Sequence, residues 1–365
     1  MLNNQTIAVV VPAYNEEKQI GQVIETMPDF VDRIVVVDDC SKDRTTEIVK
    51  QCIAHDKTEA IELKCNNGIK NSTKYNRAEV VLQQQITKEL DYFTPSEVFN
   101  KHPEKERIIL INLLENAGVG AGICRGYKWC KDYGIDCTAV MAGDGQMDPE
   151  ELESICRPVI EEGIDYVKGN RLIHRSAWLV MPKIRYLGNS ILSILTKLAS
   201  GYWHISDTQT GFTAISRKAL YAIPLYKIYK RYGMPNDILV KLNIAFCTIK
   251  EVEIKPVYDI GESSKMNVFK VIPKISWLLF KSFFKRLWIK YLFRDFHPLF
   301  LLYNFAMILG ITWVPYLFKV SKALVEGKNV SFETLLAFTF LGITSIQSFL
   351  FAMWMDIQDN ERLYK

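Results

Sequence analysis

The chain has 365 residues, 48% of them hydrophobic, and a formal net charge of +4. Its length suggests two or three structural units, on a soft prior of ~100–200 residues per domain, and so weak a positive balance gives no ground for a nucleic-acid partner. The eight cysteines include no C-x-x-C pair, so they read as reduced structural thiols rather than a disulfide framework or a zinc site.

Residues 7–11, Ile-Ala-Val-Val-Val, form a continuous apolar run of strand length. No secretory signal precedes it, so this part is expected in the cytosol. Pro12-Ala13-Tyr14-Asn15-Glu16-Glu17 ends the run, and Glu16 to Met27 reads as a helix. Arg33 to Val37 is a second strand, and a helix is expected from about Asp43 with Ser41 as its candidate N-cap. Strands each followed by a helix build a parallel sheet. Asp38-Asp39 at a strand end has two readings: turn chemistry, or, at Asp39, acceptance of hydrogen bonds from a ribose or base.

Residues 55–106 are polar, and Lys64 to Asn76 is rich in Asn and Lys. Glu79 to Leu90 can form a helix with Val80, Val81, Ile86 and Leu90 available for burial. A surface insertion is the default reading, a partner or membrane contact the alternative. Ile108 to Asn112 is the third strand. Asn116-Ala117-Gly118-Val119-Gly120-Ala121-Gly122 follows, then a helix through Lys131. Glycines there permit a tight turn and close approach of backbone to a ligand. Cys124 and Cys130 on that helix read as core.

The stretch the chain is organised around is Thr138 to Pro149. Thr138 to Ala142 reads as a buried strand, ended by Gly143-Asp144-Gly145-Gln146, and Asp148-Pro149 opens a helix with Pro in its first turn. A carboxylate at the carboxyl end of a parallel strand points into the crevice where open α/β sheets bind ligands. Oxygen ligands on a tight turn suit Mg²⁺ or Mn²⁺, which take few carboxylates plus substrate phosphates. Asp144 is therefore the candidate holder of a metal that holds a diphosphate. A plain strand-to-helix turn capped by Asp148 is the competing reading.

Four segments now carry a resemblance: Val11 to Glu17, Val35 to Thr45, Asn116 to Gly122, and Gly143 to Pro149. In this order they resemble the family 2 glycosyltransferases, and within them the polyprenyl-phosphate glycosyltransferases related to dolichyl-phosphate mannose synthase. The resemblance covers roughly 1–54 and 107–265. It implies an α/β nucleotide-sugar-binding domain of the GT-A type, with a mostly parallel sheet, and an inverting transfer. It also implies that Pro12, Tyr14, Glu16 and Asp39 line a nucleoside pocket, that the loop at Gly118 faces the donor, and that Asp144 with Gln146 belongs to the metal site. The chain departs from the family at Ala142, where the first acid of an Asp-x-Asp pair is expected. The last acid is the one that looks like the direct metal ligand, so a divalent ion is still expected to bind.

Further on, Asp165 to Gly169 is a strand, and Gly169-Asn170-Arg171 resembles a family segment that makes Arg171 the first choice for a phosphate clamp. A guanidinium matches phosphate oxygens in a bidentate fashion. Arg175 and Arg185 are second choices, and His174 reads as structural. Ile184 to Ser200 is an amphipathic helix. Ser206 to Phe212 resembles the acceptor-side loop, in which Asp207 and Gln209 would contact sugar hydroxyls or order the site. Met234 starts a helix, and Ile249 to Ile254 is a closing strand. Gly261 to Lys265 resembles the Gly-x-Ser-Lys loop, with Lys265 as a cation over the phosphates.

Composition changes at 266. Pro273 can start a helix to about Phe293 in which Lys274, Lys281 and Lys285 share one face and Ile275, Leu279 and Phe283 lie roughly opposite. A basic, aromatic, amphipathic helix of this kind lies at a membrane surface; packing on the catalytic domain is the alternative. Residues 298–318 and 334–355 are nearly uncharged, each close to the ~20 residues that cross a bilayer as a helix, with a loop from Lys319 to Glu333 between them. Lys281, Lys285, Arg286, Lys290 and Arg294 precede the first span and favour a cytoplasmic catalytic domain.

The chain is thus divided into a catalytic domain, 1–265, with 55–106 inserted; juxtamembrane helices, 266–296; and a hairpin, 297–365. The expected activity is transfer of one sugar from a nucleotide donor to a polyprenyl phosphate by an integral membrane enzyme using Mg²⁺ or Mn²⁺. Rivals are a polysaccharide-extending synthase, disfavoured by the missing Gln-x-x-Arg-Trp motif, and a degenerate scaffold. The sugar, nucleobase, lipid length and oligomeric state stay open, with hairpin self-association one option.

Overall fold

The computed structural model describes residues 1–56, 58, 60–65, 73–181, 183–257 and 268–365. Lys265 and its loop, and the side chain of Arg185, lie outside the described residues. Eight strands form one sheet in the order β3-β4-β2-β1-β5-β7-β6-β8. They are β1 (Ile7–Ala13), β2 (Arg33–Asp38), β3 (Ser96–Val98), β4 (Ile108–Leu113), β5 (Cys137–Val140), β6 (Tyr166–Asn170), β7 (Thr213–Ser216) and β8 (Ile249–Glu253). β1, β2, β4 and β5 are parallel, as are β6 and β8, while β3 and β7 pair antiparallel with their neighbours.

The helices are α1 (Ile20–Glu25), α2 (Thr45–His55), α3 (Arg77–Lys88), α4 (Val119–Asp132), α5 (Leu152–Glu161), α6 (Ala177–Val180), α7 (Lys183–Ser200), α8 (Arg217–Ala222), α9 (Met234–Ile244), α10 (Val268–Trp288), α11 (Pro298–Glu326) and α12 (Phe332–Glu361). Strand side chains alternate between the two faces of the sheet. Val10, Val35, Val37 and Ile109 join the cluster under α4, α8 and α9. Val9, Val11, Ile34 and Val36 join the one under α1, α2 and α5. Burial on both faces explains why these strands read as unbroken apolar runs. α4 lies very close to the sheet: a Cβ at Gly126 would sit 2.4 Å from Val10 Cγ1.

Several expected boundaries shift. α1 starts at Ile20, not Glu16; ahead of it Asn15 sits at φ 55°, and the N–H groups of Asn15, Glu16 and Glu17 donate to Ser41 Oγ, Thr45 Oγ1 and Asp43 Oδ2. Ser41 therefore serves Asn15 rather than capping α2. Of the four residues offered for burial in the insertion, Val80 is buried, Ile86 half-buried, and Val81 and Leu90 exposed. The insertion also adds the edge strand β3, which was not foreseen. Pro273 lies inside α10 instead of starting it. α11 runs on through Lys319 and Lys322 to Glu326, where Gly327 (φ 62°) ends it in the left-handed conformation.

α11 and α12 pack as an antiparallel hairpin. Trp313 Nε1 donates to Phe338 O at 2.9 Å and Ser345 Oγ to Ala306 O at 2.9 Å, with Gly342 making room for the indole. Both helices are long and apolar enough to cross a membrane, and few of their side chains are buried. Leu301, Phe305, Ile308, Ile311, Val314 and Phe318 all face outward.

The hairpin is tied to the catalytic domain by a buried polar knot. Arg286 on α10 meets Asp356 on α12 with two hydrogen bonds, 2.7 and 2.8 Å, both side chains fully buried. The same guanidinium donates to Ala199 O at 2.9 Å and Leu198 O at 3.1 Å at the end of α7. Lys290, expected among the flanking surface charges, is buried against Asn243, Asn360 and Asp359. Beyond α12 the chain returns to the sheet: Ile249 N–H donates to Leu363 O at 2.7 Å, and Lys365 N–H to Ile249 O at 3.0 Å. This contact links the hairpin segment, 297–365, to the outer edge of β8.

Candidate active site

The carboxyl ends of β1, β2, β5 and β6 open into one cavity of about 880 Å³. Pro12, Tyr14, Glu16, Asp39, Gly118, Asp144, Gln146, Arg171 and Gln209 all line it. Two other candidates do not: Asp207 is fully buried behind the wall, and Arg175 is exposed and off the cavity.

Asp39 lines the cavity just past the end of β2. Its two oxygens accept the N–H groups of Ala117 at 2.7 Å and Gly118 at 2.8 Å, and Gly118 adopts φ +97°, which a side chain rarely allows. Burial pushes the Asp39 pKa up, against those two hydrogen bonds. The carboxylate thus fastens the glycine loop to the end of β2.

Asp144 follows β5. Its Oδ1 accepts the N–H of Gln146 at 3.1 Å, and Asp148 accepts that of Glu150 at 3.0 Å, capping the turn before α5. Ala142, also on the wall, donates its N–H to Met147 Sδ at 3.2 Å. Among the described residues no group of three or more His, Cys, Asp or Glu side chains could hold a metal by itself. One carboxylate and one amide fit a hard ion that keeps water and substrate phosphate ligands, as Mg²⁺ does, and do not fit a cage built wholly of protein.

Arg171 is aimed by Asp207. Nε reaches Oδ2 at 2.8 Å and Nη2 reaches Oδ1 at 3.2 Å. Burial alone would raise the Asp207 pKa, but the guanidinium outweighs it and holds the carboxyl below its usual range. Glu251 on β8 in turn sets the Asp207 loop, accepting the N–H groups of Ser206 at 2.8 Å and Asp207 at 3.1 Å and the Asn170 amide at 2.7 Å. Lys168 is fully buried beside them and donates to Thr210 O at 2.6 Å. Desolvation lowers its pKa to about 8 despite Asp207 and Glu251. Gln209 is pinned through Nε2 to Asn236 Oδ1 at 2.8 Å. His174 bonds Ser176 within its own turn.

Lys168 and Glu251, which sit in strands, and the wall residues Arg231 and Lys255 join the site without having been among the expected residues. Lys255 had a signal, a base just past the carboxyl end of a parallel strand; its ammonium lies 3.5 Å from Asp148.

A mostly parallel sheet with acids and glycines at its carboxyl edge is the GT-A type of fold. Residues 8–74 and 94–223 match the glycosyl transferase family 2 model, and the chain belongs to that family of glycosyltransferases. The unmatched stretch, 75–93, falls within the expected insertion. The chain is 28% identical over 256 residues to the UDP-N-acetylglucosamine–dolichyl-phosphate N-acetylglucosaminyltransferase of Methanococcus voltae, covering 70% of this chain and 87% of that one. It is 23% identical over 300 residues to a dolichyl-phosphate β-glucosyltransferase of Trichomonas vaginalis, covering 77% and 74%. A fainter likeness, with TM-score 0.46 and 16% identity, is to the Mycobacterium tuberculosis glucosyl-3-phosphoglycerate synthase solved with Mn²⁺ and UDP, covering 78% of this chain and 80% of that one.

Proposed function

We propose that this protein is a membrane-anchored inverting enzyme that moves one sugar from a nucleotide-sugar donor to a polyprenyl phosphate at the cytoplasmic face. One observation carries the proposal: Ile272 and Ile275 of α10 line the same cavity as Asp39 and Asp144. A charged reaction site thus shares a wall with the apolar side of the amphipathic helix that leads toward the hairpin. The names of the curated relatives, which specify dolichyl phosphate, agree with it.

The chemistry follows from charge. A phosphomonoester has a second pKa of ~6, so the acceptor is anionic near neutral pH and needs little help from a general base. The site has to align two anionic groups and offset their repulsion. Asp207 fixes the direction of the Arg171 guanidinium, which would hold the attacking phosphate behind the anomeric carbon, together with Lys265. A divalent ion at Asp144 and Gln146 would supply the charge that stabilises the departing nucleoside diphosphate. Displacement from the far side inverts the anomeric centre.

Membrane fractions incubated with radiolabelled nucleotide sugars test this. Label in a mild-acid-labile lipid is the expected outcome. Label in polymer would favour a polysaccharide synthase, and no label with any donor a degenerate scaffold.

A further inference from the structure

Arg231 lies in the turn before α9 and lines the cavity, yet the mechanism above leaves it unused. Its backbone is held on several sides. Lys230 O accepts the Ala121 N–H at 3.0 Å, Arg231 O accepts the Met234 N–H at 2.9 Å, and the Tyr229 N–H donates to Asp237 Oδ2 at 2.7 Å. The fit against α4 demands glycine. A Cβ at Gly118 would lie 2.9 Å from Arg231 Cγ, and one at Gly120 would lie 2.4 Å from Tyr229 O. From the other side the Tyr92 ring stacks on Tyr226 at 5.0 Å, and Lys230 Nζ donates to Thr94 Oγ1 at 3.4 Å. Tyr92 belongs to the stretch that the family model leaves unmatched.

The turn held in this way carries a cation into the cavity wall, near Asp39. Asp39 feels its charge, but both Asp39 oxygens already accept backbone N–H groups. Arg171, the other guanidinium among the described residues of the wall, is engaged by Asp207. The base and ribose of a nucleotide sugar are neutral, so the donor group that answers a guanidinium is its diphosphate. We infer that Arg231 binds the donor diphosphate, and that the inserted segment around Tyr92 braces the turn carrying it. This rests on the nucleotide-sugar reading above.

The test uses the full chain in detergent with Mn²⁺, titrated calorimetrically with UDP and GDP, while uridine and guanosine are followed by saturation-transfer NMR. Arg231→Ala is expected to weaken the preferred diphosphate about 10- to 100-fold, the range of a hydrogen bond to a charged group, and to leave the nucleoside unchanged. Arg231→Lys should recover part of the loss, and Tyr92→Ala should reproduce a smaller one at an unchanged melting temperature. Equal loss of diphosphate and nucleoside, or unaltered diphosphate binding, would overturn the assignment alone. Failure of the wild type to bind either diphosphate would overturn the donor reading and this inference with it.

Discussion

Arg171 and Asp207 stand 36 positions apart and meet in a two-point ion pair whose carboxylate is fully buried. The acid keeps the guanidinium in a fixed plane at the cavity wall. Breaking one side of a buried pair costs about 3–5 kcal/mol, and the exposed edge of Arg171 brings the expectation to the lower end. Asp207→Asn should therefore melt earlier and lose most transfer. Arg171→Lys keeps the charge but loses the planar fork, so turnover should fall well beyond any change in melting temperature. Thermal unfolding and donor turnover, measured together, check both.

Lys168 gives a pH signature. Its folded pKa, about 8, lies below the ordinary lysine value because burial disfavours the charged form. The folded state therefore binds fewer protons than the unfolded state above about pH 8. The destabilisation it causes is fully present below that pH and fades as pH rises toward the ordinary value. Activity should move the other way, since a neutral Lys168 leaves Asp207 and Glu251 less balanced. Turnover is expected to fall above about pH 8 without loss of thermal stability, and Lys168→Arg should shift that limb upward. A pH profile of the variant that matches wild type would exclude the role.

Asp144→Asn should nearly abolish transfer and remove its dependence on added Mn²⁺. Ala142→Asp should act in the opposite sense on metal affinity, lowering the Mn²⁺ concentration needed for half-maximal turnover, because a second carboxylate joins the first. Metal titrations of turnover for the three proteins decide it; near-normal activity of Asp144→Asn would remove the metal from the proposal.

Arg286 and Asp356 invite a double-mutant cycle. Either Arg286→Met or Asp356→Leu leaves one buried charge without its partner and should cost about 3–5 kcal/mol. The double variant should recover much of that loss, since apolar replacements of a buried pair are often close to neutral. Limited proteolysis between α10 and α11 would show whether the single variants loosen the hairpin from the domain.

The parallel strands were legible because burial on both faces leaves only Val, Ile and Ala in runs such as Ile7–Val11. β3 and β7 were not, since three and four residues are too short for a period to show. Cavity-wall residues that follow strands, such as Asp39 and Asp144, announce themselves by a carboxylate where an apolar run stops. Lys168 and Glu251 give no such sign: a charged residue inside a strand looks like a solvent-facing one until chain folding brings its partners from other segments. The segment ahead of α1 shows a related limit: Ser41, Thr45 and Asp43, which take the N–H groups of Asn15, Glu16 and Glu17, stand some 26–29 positions away.

Leu363 to Lys365 are synthesised after both apolar helices, so the start of β8, at Ile249, lacks their cover until α12 has been made. An uncovered strand margin is a template for pairing with other chains. Translation order thus places this closure last among the described contacts of β8: pairing at Ile249 waits until the hairpin segment has been made.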